Sequence, residues 1–224
     1  MASYYSQKLS AERLRLCYEV APPRVKQYLE AEIEFVLDQT NSSGLVLELG
    51  CGYGRVLEKL MEKSKAVVGI DTSHDSLNLA RDIFCESPHC HLFVMDAVEL
   101  GFRDRLFDMV VCIQNGISAF NVDQKKLIKG AMRVTNSGGK VLFSSYSEHF
   151  WEERLEWFRI QSEKKLIGEI DEDATGNGVI VCKDGFKASS VSPDDFILLT
   201  SDLDIDPIIT EVDSSSIFCE LRIS

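Results

Sequence analysis

The stretch Leu45-Val46-Leu47-Glu48-Leu49-Gly50-Cys51-Gly52-Tyr53-Gly54-Arg55-Val56-Leu57 decides how this chain folds. An apolar run crossed by one carboxylate, Glu48, enters a turn with glycines at alternate positions. The amphipathic segment Val56-Leu57-Glu58-Lys59-Leu60-Met61 follows directly. Apolar run, glycine turn and helical periodicity together read as buried strand, tight turn and helix start. Glycine is required where the backbone takes positive φ or where a ligand approaches the main chain closely. The amides at the N-terminus of the following helix add donors and a partial positive charge.

Working outward, the same alternation continues. Ala66–Ile70 reads as a strand ending in Asp71, and 74–85 as a helix with Ser73 as its N-cap. His91–Met95 is a strand ending in Asp96, and Phe107–Ile113 a strand ending in Gln114-Asn115-Gly116. Gln124–Val134 is a helix stopped by Asn136, Gly138 and Gly139, and Lys140–Tyr146 a fifth strand. Strand–helix repeats of this spacing give an α/β doubly wound, mainly parallel sheet with helices on both faces. Ligands bind such sheets beyond the carboxyl ends of the strands. Those ends here carry the glycine loop, Asp71, Asp96 and Gln114-Asn115, an ordered polar set rather than one acidic cap.

The flanks complete a single domain. Residues 1–40 form a helical cap: one helix over 9–20, a break at Ala21-Pro22-Pro23, and a second helix from Val25 with apolar positions at Tyr28, Leu29, Ile33, Val36 and Leu37. The cofactor-binding core is 41–146. The segment 147–190 is an insertion after the fifth strand, helical over 148–166, with a hairpin around Lys183-Asp184-Gly185. Residues 191–224 supply a closing helix from Ser192-Pro193 and two strands, 207–212 and 217–223.

Composition narrows the function. At 224 residues and 45% hydrophobic content the chain can build one sizeable core. No secretory signal is visible in 1–10 and no apolar run spans a bilayer, so a cytoplasmic location without membrane contact is expected. Seven scattered cysteines without C-x-x-C spacing read as reduced thiols, with Cys112 and Cys182 as small core residues and no metal site expected. Net charge is −12, and 168–224 alone carries 13 acidic against 3 basic residues. A nucleic-acid binder needs a basic surface to release counterions, so nucleic acid is a poor partner.

Two cofactor classes use such a glycine turn. Dinucleotide binders want G-x-G-x-x-G, but the third position here is Arg55, whose side chain disfavours a nicotinamide oxidoreductase. No phosphate-binding lysine follows the loop, and the strand-end carboxylates repel pyrophosphate while suiting hydroxyls and amines. The pattern Glu48-x-Gly50-x-Gly52-x-Gly54, with the ordered strand ends, resembles the class I S-adenosylmethionine-dependent methyltransferases across roughly 25–146 and 192–224. That resemblance implies a seven-stranded sheet whose last strand is antiparallel, with the helix–hairpin insertion as an addition. It implies a loop of Glu48, Gly50, Cys51, Gly52 and Arg55 beneath the methionine part of the cofactor. Asp71 and Thr72 would meet the ribose, Asp96 and Ala97 the adenine, and Gln114 and Asn115 the methionine and its methyl group.

The implied activity is methyl transfer by in-line displacement to a small-molecule acceptor, S-adenosylhomocysteine being the product. Alignment alone supplies roughly 7–11 kcal/mol in such reactions. If the acceptor is protonated, a base is needed as well. Tyr146, Glu148 and His149 are candidates, His149 alone having an ordinary pKa near neutrality, with packing on the insertion helix as its other role. Tyr4, Tyr5, Tyr18 and Tyr28 are candidates for cofactor contact. The insertion reads as a substrate lid whose aromatics, Phe150, Trp151, Trp157 and Phe158, either line an acceptor pocket or fasten the insertion to the sheet. A protein methyltransferase docking a basic partner and a non-catalytic cofactor-binding subunit are the alternatives. The acceptor and the oligomeric state are not legible.

Overall fold

The computed structural model of the chain describes residue 4 and residues 8–224. Tyr5 lies outside the described residues. Two helices open the cap, α1 (Ala11–Glu19) and α2 (Pro23–Gln39). The alternating core follows as β1 (Leu45–Leu49), α3 (Arg55–Lys63), β2 (Ala66–Asp71), α4 (His74–Phe84), β3 (Cys90–Val94) and β4 (Phe107–Cys112). It continues with a single-turn helix α5 (Gly116–Ala119), α6 (Gln124–Val134) and β5 (Thr135–Tyr146). The insertion holds a 3₁₀ turn (Glu148–Phe150), α7 (Trp151–Glu163) and the two-residue strands β6 (Ile180–Val181) and β7 (Lys187–Ala188). The chain closes with α8 (Pro193–Thr200), β8 (Ile208–Val212) and β9 (Ser216–Arg222).

One seven-stranded sheet runs in the order β3-β2-β1-β4-β5-β9-β8. The pairings from β3 through β5 are parallel, and β9 runs antiparallel to both β5 and β8. The order reverses between β1 and β4, so the carboxyl ends of these two strands flank a crevice. Side-chain parity assigns the two faces. Val46, Val67, Met109, Val111, Leu142 and Phe218 point to a layer formed by α2, α3 and α4. Their neighbours Leu47, Val68, Val110, Val141, Phe143 and Cys219 point the opposite way, against α6 and α8. Helix α3 shows the logic: Val56, Leu57 and Leu60 are buried on one stripe. Burying each such side chain contributes roughly 1.5–3 kcal/mol, so a charge at fully buried Leu57 would undo the layer.

Local signals hold at the helix starts. The Ser73 hydroxyl accepts from the Ser76 amide at 3.2 Å, and Ser192 with Asp195 forms a reciprocal capping box. Cys112 and Cys182 are buried thiols. No helix among the described residues is long and apolar enough to cross a membrane.

The insertion is fastened both to the sheet, through Tyr146 of β5, and to the cap. Its apolar residues Phe150, Leu155, Trp157, Phe158 and Phe186 share a third core with Cys17, Val25, Tyr28 and Leu29 of α1 and α2. The insertion and the N-terminal cap are therefore one packed unit over the carboxyl ends of the strands.

Candidate functional site

The glycine turn is tied to the neighbouring strand. The Gly50 and Cys51 amides both donate to the Ile70 carbonyl, at 2.8 and 2.9 Å. The Gly52 amide donates to Asp71 Oδ2 at 2.9 Å, and the Ser73 amide donates to Asp71 Oδ1 at 2.7 Å. Gly50 has φ +73°, and a β-carbon there would lie 2.4 Å from Phe120 Cζ, so any side chain meets both backbone strain and the Phe120 ring. Asp71 thus orders the loop while its carboxylate keeps acceptor capacity for a ligand. Burial raises its pKa, and the amides of Ser73, Gly52 and Thr72 pull it back.

This turn forms the floor of a cavity of about 320 Å³ at the carboxyl ends of the strands. Glu48, Gly50, Cys51, Gly52, Arg55, Asp71, Thr72, Asp96, Ala97 and Gln114 all line it. Asn115, also singled out in the sequence, does not. Its side chain turns away from the cavity: Oδ1 accepts from the Ser145 hydroxyl at 2.8 Å and Nδ2 donates to the Ser189 carbonyl at 2.9 Å. Gln114 and Asn115 both hold left-handed backbones, φ +56° and +62°. Each such non-glycine residue costs roughly 1–2 kcal/mol, and the two face opposite ways.

The electrostatics are asymmetric. Glu48 is buried, and burial pushes its pKa up to about 8, with Arg55 lowering it and Asp71 raising it further. Its Oε2 has no hydrogen-bond partner, nor have Arg55 Nε and Nη2 or Gln114 Nε2. The Arg55 guanidinium lies 4.7 Å from the Tyr18 ring centre and only 3.8 Å from Glu30 Oε1 at the surface. Orphaned buried groups of this kind cost about 1–3 kcal/mol each until a ligand meets them. A carboxylate, a guanidinium and a carboxamide around one cavity complement a ligand bearing both an ammonium and a carboxylate. Asp96 sits at the exposed rim, its Oδ1 accepting from the Val98 amide at 3.0 Å.

The opposite wall comes from the cap, the insertion and the end of β5. Tyr18, Tyr28, Tyr146, Trp157 and Phe158 line it, with Leu14 and Leu29 between them. Trp157 and Phe158 therefore face the cavity, whereas Phe150 is fully buried against Tyr28, ring centres 5.0 Å apart. Tyr4 lies away from this wall: its hydroxyl donates to Asp184 Oδ2 at 2.7 Å.

His149 stands outside this cavity. It lines a separate hollow with Glu211 and Arg154, and its Nδ1 lies 2.8 Å from Glu211 Oε1 on β8. That contact raises the pKa of His149, while hydrogen bonds from Ser147 and then His149 lower that of Glu211. The reason is positional: the chain turns at Ser147 and carries residue 149 past the sheet, toward β8.

One residue absent from the sequence reading belongs to the site. Glu32 of α2 is fully buried and accepts from the Gln114 amide at 2.8 Å and the Ser216 hydroxyl at 2.6 Å. Burial raises its pKa to about 7, against the hydrogen bonds from Ser216, Ser144 and Gln114. The available signal was a glutamate set within the apolar stripe Val25, Tyr28, Leu29, Ile33 and Val36.

Comparison with known proteins bears on this arrangement. Residues 46–139 match the family model described as a methyltransferase domain. A ubiquinone biosynthesis O-methyltransferase of Coxiella burnetii is 25% identical over 142 residues, covering 62% of this chain and 56% of that protein. A malonyl-[acyl-carrier protein] O-methyltransferase of a Marinomonas species is 30% identical over 140 residues, covering 60% and 50%. The chain thus spans about half the length of these relatives. Among solved structures, the PH0226 protein of Pyrococcus horikoshii superposes with a TM-score of 0.67 at 21% identity, over 91% of this chain and 92% of that one. The N-methyltransferase NodS of Bradyrhizobium japonicum, solved with S-adenosylhomocysteine, gives 0.62 at 16% identity, over 97% and 95%. At these identities the structural likeness is one of fold.

Proposed function

We propose that this chain, whose residues 46–139 match the methyltransferase-domain model, is a class I S-adenosylmethionine-dependent methyltransferase that binds its cofactor in the cavity above the glycine turn and transfers the methyl group to a small acceptor. The observation that carries the reading is the set of partnerless buried atoms on one cavity: Glu48 Oε2, Arg55 Nε and Nη2, and Gln114 Nε2. A methionine moiety brings an ammonium for the carboxylate and a carboxylate for the guanidinium. Asp71 and the rim residues Thr72, Asp96 and Ala97 are left for ribose hydroxyls and a base edge. When bound, the cofactor supplies a methyl group already activated on a sulfonium.

The chain's own residues then bind, orient and exclude water. The turn at Gly50–Gly52 admits the ligand against the main chain, and α1 with α7 closes the cavity from above. The acceptor must lie in line with the S–CH₃ bond, on the side of Tyr18, Tyr28, Tyr146, Trp157 and Phe158. Charged lining groups sit at the strand ends and Arg55, so a small, uncharged, flat acceptor suits the aromatic wall. The two relatives named above are O-methyltransferases by name, and oxygen is the first acceptor atom to try. His149, outside the cavity, is not placed to serve as base.

Calorimetric titration with S-adenosylmethionine, S-adenosylhomocysteine and NAD tests the cofactor. Micromolar binding of the first two alone supports the reading. Binding of NAD alone, or of nothing, refutes it. Methyl transfer from labelled cofactor to a panel of hydroxylated arenes, set beside a basic protein, separates a small-molecule enzyme from a protein methyltransferase.

A further inference from the structure

Helix α2 carries an acidic residue where its neighbours are apolar. Glu32 has Tyr28 one turn before it and Val36 one turn after, both fully buried. An isolated buried carboxylate is costly to desolvate and persists only where donors converge on it. Here they come from the ends of three strands. The Gln114 amide, just past β4, reaches Oε2 at 2.8 Å, and the Ser216 hydroxyl of β9 reaches Oε1 at 2.6 Å. The same Gln114 N–H also lies 2.8 Å from Ser144 Oγ of β5.

The group that is held is itself unusual. Gln114 keeps a left-handed backbone at φ +56°, a conformation glutamine adopts rarely without external restraint. Its side-chain Nε2 is buried, faces the cavity and has no partner. Next to it Asn115 is locked by Ser145 and Ser189, so rotation cannot pass along the chain to relieve the strain.

We propose that Glu32 is a positioning residue: by gripping the Gln114 amide it fixes the left-handed turn that aims the Gln114 carboxamide at the bound cofactor. This rests on the cofactor reading above, and it assigns to the N-terminal cap a direct part in shaping the site. Glu32 touches no ligand; its effect passes through one backbone N–H.

The test is a double-mutant cycle on S-adenosylhomocysteine affinity, with the Gln114 amide followed by ¹⁵N NMR. Glu32→Met, which removes both acceptor oxygens at similar length, is expected to weaken binding by about tenfold, the scale of one misplaced hydrogen bond. It should also move the Gln114 amide resonance upfield and speed its hydrogen exchange. In a Gln114→Ala background, Glu32→Met should weaken binding no further. Equal losses in both backgrounds would make Glu32 a general structural residue and overturn the inference, as would an unmoved Gln114 amide. If Glu32→Met does not fold, Ser216→Ala, which removes the hydroxyl orienting the carboxylate, takes its place in the cycle. Failure of the wild-type protein to bind S-adenosylhomocysteine would sink the cofactor reading and this inference together. Binding with additive losses would sink the inference alone.

Discussion

The indole N–H of Trp157 donates to the backbone carbonyl of Cys17 at 2.9 Å, joining α7 of the insertion to α1 of the cap above the cavity. The Nε of Arg13 adds a bond to the Leu166 carbonyl at 2.8 Å. Trp157→Phe keeps most of the apolar surface and leaves the Cys17 carbonyl unpaired. The expected loss is about 1–3 kcal/mol in urea denaturation. Hydrogen exchange in Ala11–Glu19 should quicken more than in β1 or β4, and S-adenosylhomocysteine should restore its protection. Exchange that rises equally everywhere would show that α1 is not held by this bond.

Glu48 predicts a proton count. With its pKa at about 8 it is mostly protonated at pH 7 in the free protein. An ammonium arriving beside it favours the carboxylate and expels the proton. Titrations with S-adenosylhomocysteine at pH 7, run in buffers of different ionisation enthalpy, should show proton release approaching one per site. Glu48→Gln should abolish that release. Release unchanged in the variant would move the ammonium elsewhere.

Stability of the free protein should fall as pH rises from about 5 to 8.5. Glu32 and Glu48 have folded-state pKa values of about 7 and about 8, above the ordinary 4.5 that they regain on unfolding. Each therefore holds its proton better when folded. Its contribution is complete below pH 4.5 and is lost as pH climbs through the folded value. At about 1.4 kcal/mol per pH unit of separation, each of the two groups contributes a few kcal/mol to the decline. The depressed carboxylates, led by Asp202 at about 2, act in the opposite sense and only in acid. Urea midpoints at pH 5, 6.5 and 8 check the slope, and Glu48→Gln should flatten its upper half.

Asp71→Asn keeps the size of the side chain and one acceptor oxygen, so the loop bonds to Gly52 and Ser73 can be retained in part. Losing the charge where ribose hydroxyls are expected should weaken S-adenosylmethionine binding by at least about tenfold, given charge-assisted bonds of roughly 1.5–3 kcal/mol. Circular dichroism should show the fold unchanged. Wild-type affinity in the variant would remove Asp71 from the site.

The sheet was legible because its strands are apolar runs and its ligand end is where polar residues break them. Glu48, Asp71, Asp96 and Gln114 each stand at such a break, and the fold rule that ligands bind beyond the carboxyl ends of the strands gathers them. What sequence spacing does not carry is direction. Gln114 and Asn115 are adjacent, yet their left-handed backbones send one side chain into the cavity and the other into the insertion. His149 follows the fifth strand closely but turns toward Glu211. Glu32 gains its role only from the ends of β4, β5 and β9, brought to it by tertiary structure. The fastening of the insertion to the cap depends on contacts such as Trp157 to Cys17, 140 residues apart, which no local pattern reports.

The roof over the glycine turn has one further consequence. Leu14 of α1 sits so close to Gly52 that a β-carbon there would lie 3.2 Å from Leu14 Cδ2. The helix is latched at its start by the Ala11 amide on the Ser76 hydroxyl at 2.9 Å, with Ala11 itself left-handed at φ +49°. Gly52 also holds a left-handed backbone at φ +55°, so a side chain there would strain the turn and press on the cap at once. Gly52→Ala is therefore expected to loosen α1 as well as the loop, although Leu14 and Gly52 are 38 residues apart in sequence.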